Sequence, residues 1–390
     1  MARIRTCLAL IFILTLMTGC GSTRNPLPIN YQKMAQIPGF EHIRFYDDNT
    51  AASMKAILET WARHRKGDPD ADFSVLSLSG GGAGGAFGAG YLSGWSDSGT
   101  RPEFSVVTGI STGALIAPFA FLGPGYDALI TMLYTTYSTE NLIGYTPTSL
   151  SLLNTYPMQK AIQMYISDEI IEAIAFQHRK GRRLIIGTTN LDEMEPVYWD
   201  IGAIAQYDTP EARTLIRDVV LASAAIPVAF PPVFFKVEAG GKLYDEMHVD
   251  GGITNQVFAY PPSIRLNEAL HSIGKTGKIS LYVIRNDLLK TPGCQTSPHL
   301  TRIASRSMDG LIRSQGIGDI YRIFYTTQRD NVDFNLAFIP YTFTEEPEEL
   351  FDPVYMNKLY KVGYDIARSK SPWHKAPPHV TPQRDVSGNR

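Results

Sequence analysis

Cysteine is scarce, with three in 390 residues at Cys7, Cys20 and Cys294. That excludes a disulfide framework, so an apolar core has to hold the fold. An excess of either charge is missing too. The chain has 36 Lys and Arg against 38 Asp and Glu, a formal charge of −2. It therefore lacks the clustered basic surplus of a nucleic-acid footprint, and no nucleic-acid partner is expected. The body of the chain has no run of about 18 apolar residues, the length a spanning helix needs. No internal repeat is present. The histidines show no zinc-ligand spacing; "HKAPPH", residues 374–379, sits in a Pro-rich tail and reads as solvated.

What is there suits a folded globular protein, with 44% apolar and 19% charged residues. Short apolar runs alternate with helical patterns. "FSVLSLS" (73–79), "FSVVT" (104–108), "RLIIGTTNLD" (183–192), "VYWDIGAIA" (197–205) and "ISLYVIRND" (279–287) read as strands. Helices are expected over 54–65, 87–99, 157–181, 212–225, 303–327 and 353–369. The glycines of "FGAGYLSGWSDSG" (87–99) call for something packed closely against that helix. The alternation predicts an α/β fold, a largely parallel central sheet flanked by helices, with a C-terminal helical extension.

The N-terminus is laid out as a secretory signal. Arg3 and Arg5 precede an apolar run from Cys7 to Met17, then Thr18, Gly19 and Cys20. "LMTGC" resembles the lipobox of bacterial lipoproteins, with Met17 where Leu is commoner. The resemblance implies cleavage before Cys20 and lipidation of its thiol, leaving Cys294 as the free cysteine. It also implies a lipid-anchored protein of the bacterial cell envelope, with Gly21 favouring the outer membrane. The alternative is an ordinary secretory signal. The divisions are then 1–19 signal peptide, 20–50 acylated N-terminus and tether, 51–290 main α/β domain, 291–370 mostly helical extension, and 371–390 disordered tail.

Three stretches carry chemistry. Gly109-Ile110-Ser111-Thr112-Gly113 follows an apolar run and precedes a small-residue helix. A strand–turn–helix with Ser111 at its apex presents a hydroxyl for nucleophilic attack; an ordinary Gly/Ser/Thr turn is the other reading. "SLSGGGAGGAFGAG" (77–90) is a glycine run between strand and helix, whose backbone N–H groups can hold an anion. Gly80-x-Gly82-x-x-Gly85 formally matches a dinucleotide fingerprint. That chemistry needs an acidic ribose partner after the next strand, and residues 98–112 offer only Glu103, which precedes it. The remaining readings are an oxyanion hole or a close-packing hinge. In "YDEMHVDGGITNQ" (244–256), Asp250 opens onto Gly251-Gly252, a carboxylate at an uncrowded turn or simply a structural Asp-Gly turn.

In this order, and with "ASAAIPVAFPPV" at 222–233, the stretches resemble the patatin-like phospholipase family over about residues 74–258. The main domain is thus identified as patatin-like. The resemblance implies a lipid acyl hydrolase of the serine-esterase class (EC 3.1.1) without cofactor or metal, acting through an acyl-serine. Ser111 would be its nucleophile and Asp250 the base of a Ser–Asp dyad. Gly81, Gly82 and Ala83 would supply the oxyanion hole, with Gly80, Gly85, Gly109, Gly113, Gly251 and Gly252 as motif glycines. Membrane lipids would be both substrate and anchorage; a protein partner or activator stays open. Gly84 departs from the family, which often has Arg or Lys there. Two alternatives remain: a triad carboxylesterase or thioesterase using His248, two residues before Asp250, and a catalytically inactive lipid- or partner-binding surface lipoprotein.

Overall fold

The computed structural model describes residues 24–380, except 48, 291, 292 and 294 and the side chains of 301 and 305. The signal peptide, Cys20, Cys7, Cys294 and the tail from 381 lie outside the described residues.

Among the described residues nine strands form one mixed sheet: β1 (Arg44–Tyr46), β2 (Phe73–Leu78), β3 (Val106–Ile110), β4 (Arg183–Asn190), β5 (Glu195–Asp200), β6 (Val233–Ala239), β7 (Lys242–Asp250), β8 (Ile279–Arg285) and β9 (Asp333–Phe338). The main order is β1-β5-β4-β3-β2-β8-β9, with β7 pairing β4 and β6 pairing β7. The run β4-β3-β2-β8-β9 is parallel throughout. β1, β5, β6 and β7 join antiparallel. β2, β3 and β4 are buried along their whole length, because helices cover both faces. That is why they read as continuous apolar runs without alternation. Leu76 and Leu78 face a core shared with Phe87, Tyr91, Ile116 and Phe119. Phe73 and Val75 face another with Trp61, Leu281 and Phe324.

The partner demanded by the glycines of the Gly85–Asp97 helix is the Pro353–Ala367 helix. A Cβ on Gly90 would lie 1.9 Å from the Tyr360 carbonyl oxygen, and one on Gly363 would lie 2.2 Å from that of Phe87. The two backbones touch, and no larger residue fits at either crossing.

Several expectations are corrected. The helix predicted over 157–181 is two, Tyr156–Tyr165 and Asp168–Arg179. Ser167 breaks them by accepting the Ile170 N–H as an N-cap, with Asp168 and Glu169 in the first turn favouring the helix dipole. "VYWDIGAIA" is a strand only to Asp200, whose carboxylate caps the Ile201–Ala205 helix through the Ala203 N–H. The described part of the expected tether is packed: Leu27, Ala35, Ile37, Phe40 and Ile43 are buried, and β1 extends the sheet. The expected disordered tail is also seated from 371 to 380. Trp373 packs on Tyr91, Trp95 and Tyr282, and His374 bridges to Leu336. In both segments scattered apolar side chains outweigh a polar, Pro-containing composition. The extension beyond 290 also contributes β9 to the sheet.

Candidate active site

The parallel register sets Leu78 against Gly109 and Ile110 against Gly187. The chain leaving β2 at Gly80 and the chain leaving β3 at Ser111 therefore emerge side by side at the carboxyl edge of the sheet. Ligands bind at this edge in open α/β folds. A Cβ placed on Gly80 would come within 3.3 Å of Ser111 Cβ.

Ser111 sits between strand and helix at φ 54°, ψ −123°, a conformation that costs a non-glycine residue about 1–3 kcal/mol. Two contacts hold the turn open. The Ser111 N–H donates to Ser223 Oγ at 3.0 Å, and Ser223 Oγ donates to the Gly187 carbonyl at 2.7 Å. The flanking glycines serve close approach. A Cβ on Gly113 would lie 2.3 Å from the Leu78 carbonyl oxygen, and one on Gly109 would strike Gly113.

Asp250 ends β7 and meets this turn from across the sheet. Ser111 Oγ donates to Asp250 Oδ2 at 2.7 Å, and the Gly252 N–H donates to Asp250 Oδ1 at 2.7 Å. The Asp250 N–H donates to the Ala225 carbonyl at 2.9 Å, tying the carboxylate to the "ASAAIP" stretch. Burial pushes the Asp250 carboxyl up to about 6, only partly offset by the bonds from Ser111 and Gly252. A nearly dry carboxylate with that proton affinity can take a hydroxyl proton far better than one in water.

The glycine loop lies opposite. Gly80 and Gly84 spend their N–H groups on the carbonyls of Gln256 and Gly81, whereas among the described residues those of Gly81, Gly82 and Ala83 meet no backbone acceptor outside the helices and strands. Gly81 has φ 157° and a Cβ there would meet the Asn286 carbonyl oxygen at 1.9 Å, so glycine is required. Around Gly82 there is open space. Gly85 packs on Thr112 and Tyr134, Gly251 on the Gly187 carbonyl, and Gly252 on Gln256.

The loop has a buttress that sequence reasoning missed. Asn286 donates through Nδ2 to the Ser79 carbonyl at 2.8 Å and through its N–H to Ser79 Oγ at 2.9 Å. Gln256 Nε2 donates to the Gly252 carbonyl, and its Oε1 accepts from the buried Arg285 at 3.2 Å. The cation absent at Gly84 has a counterpart behind the loop rather than on it. Arg285 ends β8 and Asn286 follows it, both buried, and polar residues at the end of an apolar strand run were the available signal. Ser223 was within reach, since it lies in the quoted "ASAAIP".

His248 is turned elsewhere. Its Nδ1 pairs with Thr188 Oγ1 at 2.9 Å and its Nε2 with Glu246 at 3.2 Å, while its ring packs on Trp199 and Phe235. Burial holds it below the usual imidazole value despite Glu246, whose charge Arg44 shares at 2.5 Å. Among the described residues, no three His, Cys, Asp or Glu side chains converge as a metal site.

Residues 76–261, which contain the loop, Ser111 and Asp250, match the model of the patatin-like phospholipase family. The chain carries a patatin-like phospholipase domain. The match over these residues supports lipid hydrolysis in general terms. The chain is also similar to the crystal structure of VipD from Legionella pneumophila, at 14% identity with a TM-score of 0.39. The match covers 76% of this chain and 66% of the VipD chain. No curated protein matches it.

Proposed function

We propose that this protein is a serine-dependent lipid acyl hydrolase of phospholipase A or lysophospholipase type. The observation that carries the reading is the bond from Ser111 Oγ to a buried, proton-avid Asp250 at 2.7 Å. Ser111 Oγ attacks the ester carbonyl as its proton passes to Asp250 Oδ2. The N–H groups of Gly81, Gly82 and Ala83 receive the oxyanion, each donor worth about 3–4 kcal/mol where such donors have been removed. Collapse expels the alcohol, which takes the proton from Asp250. Water, giving its proton to Asp250 in turn, then releases the fatty acid and restores Ser111.

One turn beyond Ser111, Leu115 lines a small apolar cavity with Phe119, Leu133, Met158 and Ile162. In the same reading Cys20 carries the lipid anchor and the chain works on a bacterial envelope membrane. The triad alternative has nothing in its favour here, since both ring nitrogens of His248 are engaged by other residues.

The test is fatty-acid release from mixed phospholipid vesicles by wild type, Ser111→Ala, Asp250→Asn and His248→Ala, each checked for folding. Loss in the first two variants with retention in the third supports the dyad. Wild-type release by Ser111→Ala would remove Ser111 from the mechanism, and loss in His248→Ala would restore the triad.

A further inference from the structure

The Leu300–Arg329 helix is too long for its place in the fold. It connects β8 to the parallel strand β9, so it runs back against the strand direction and starts at the carboxyl edge, where Ser111 lies. A six-residue strand spans about 20 Å, whereas 30 helical residues span about 45 Å. Among the described side chains, none of this helix before Gly316 is buried. From there Ile320, Ile323 and Phe324 pack into the core under the sheet. The first half projects past the edge, and Gln315 at its base donates to the Thr254 carbonyl beside the Asp250 turn.

The projecting half has a face of its own. Helical spacing gathers Leu300, Ile303, Ala304, Met308 and Leu311 on one side. Leu300 is 84% exposed and Leu311 73% exposed. This side is opposite the one that buries Ile320, Ile323 and Phe324, so it does not continue the core stripe and faces away from the domain. Arg302, Arg306 and Arg313 occupy the other side, with Arg313 near Asp287 at 3.4 Å. Between Lys290 and Gln315 the single acid is Asp309. An apolar stripe backed by arginines is the pattern of a helix lying in the interface of an anionic bilayer. Glu345, Glu346, Glu348 and Glu349 follow β9 in the sequence, so the basic excess near this edge belongs to the arm.

We propose that residues 300–314 form a docking arm that lies in an anionic lipid surface beside the carboxyl edge that carries Ser111. The inference rests on the lipid-hydrolase reading only in its choice of lipid as occupant.

A site-specific fluorescent label tests it without turnover. The full chain carries Ser111→Ala, Cys7→Ser, Cys20→Ser and Cys294→Ser, plus either Leu311→Cys or Asp309→Cys bearing an environment-sensitive dye. With phosphatidylglycerol-containing vesicles the dye at 311 should shift to the blue and the dye at 309 should not. Arg302→Gln with Arg306→Gln should raise the lipid concentration at half-maximal shift about thirtyfold. No shift at 311 while the chain cosediments with the vesicles would overturn the arm. An equal shift with pure phosphatidylcholine would overturn its charge selectivity. A shift without vesicles that grows with protein concentration would assign the face to a second copy. Because none of these readings depends on hydrolysis, failure of the arm and failure of the dyad are separable.

Discussion

Asp250→Asn should make the protein both inactive and, at alkaline pH, more stable. Asn has the shape of Asp250: its Oδ1 can still accept from Gly252, and its amide faces Ser111 Oγ as a donor. What is lost is the base, for which general-base catalysis predicts a fall of about 10²–10⁴-fold in turnover. What is also lost is a buried charge. The folded value of about 6 against 3.8 for the free side chain is about two units, or about 3 kcal/mol.

The sign follows from the direction of that shift. A carboxyl raised in the folded state binds its proton more tightly there than when unfolded. Its stabilisation is complete below about pH 4 and is lost as pH rises through about 6. Wild type should therefore trail Asp250→Asn by up to about 3 kcal/mol at pH 8 and match it near pH 4. The assay is a pair of thermal and urea melts at both pH values, beside fatty-acid release. In the wild type, release should climb with pH through about 6 and level off as Asp250 ionises. Equal melts at pH 8, or an Asn variant retaining more than about a tenth of wild-type turnover, would refute the argument.

Ser223→Ala strips the acceptor from the Ser111 N–H in a fully buried position. It should cost about 1–3 kcal/mol in urea melts and lower kcat more than it changes KM, because the turn loses its support. Gly81→Ala drives a Cβ into the Asn286 carbonyl; soluble yield should collapse, or folded protein should show turnover reduced by at least tenfold, read by circular dichroism and release together. His248→Phe replaces a buried ring with one of similar volume while leaving Glu246 short of a partner. Thermal melts should fall, yet release per folded molecule should stay within a few-fold of wild type. Tyr134→Phe removes the hydroxyl that meets Thr112 in the first turn after Ser111, with a loss of about 1 kcal/mol in urea melts.

The order of short-range signals was readable because each reports a local backbone need. Gly81 demands a conformation closed to other residues, Gly113 demands contact with a neighbouring strand, and the Asp250-Gly251-Gly252 turn demands room. The strands β2, β3, β4 and β8 were legible from their apolar runs, since helices bury them on both sides. The break at Ser167 was harder to see, because the isoleucine spacing carries on across it. β1 and the packed residues around Trp373 were missed for another reason: their partners, β5 and the Tyr91–Trp95 pair, are distant in sequence. Composition carries no record of such a partner.

By itself, then, the sequence determined which residues can make a tight serine turn, an anion-holding loop and an uncrowded carboxylate, because glycine spacing is a local property. It also determined the alternation of apolar runs that makes an α/β sheet. Only the tertiary structure decided that Ser111 and Asp250, 139 residues apart, share a hydrogen bond, and that His248 turns its ring to Thr188 and Glu246. It alone brought Ser223, Gln256 and Asn286 in as supports, and it alone left half of the Leu300–Arg329 helix outside the core. These are matters of strand register and of helix length against strand length. They are set by pairings between segments far apart in the chain, which no local pattern encodes.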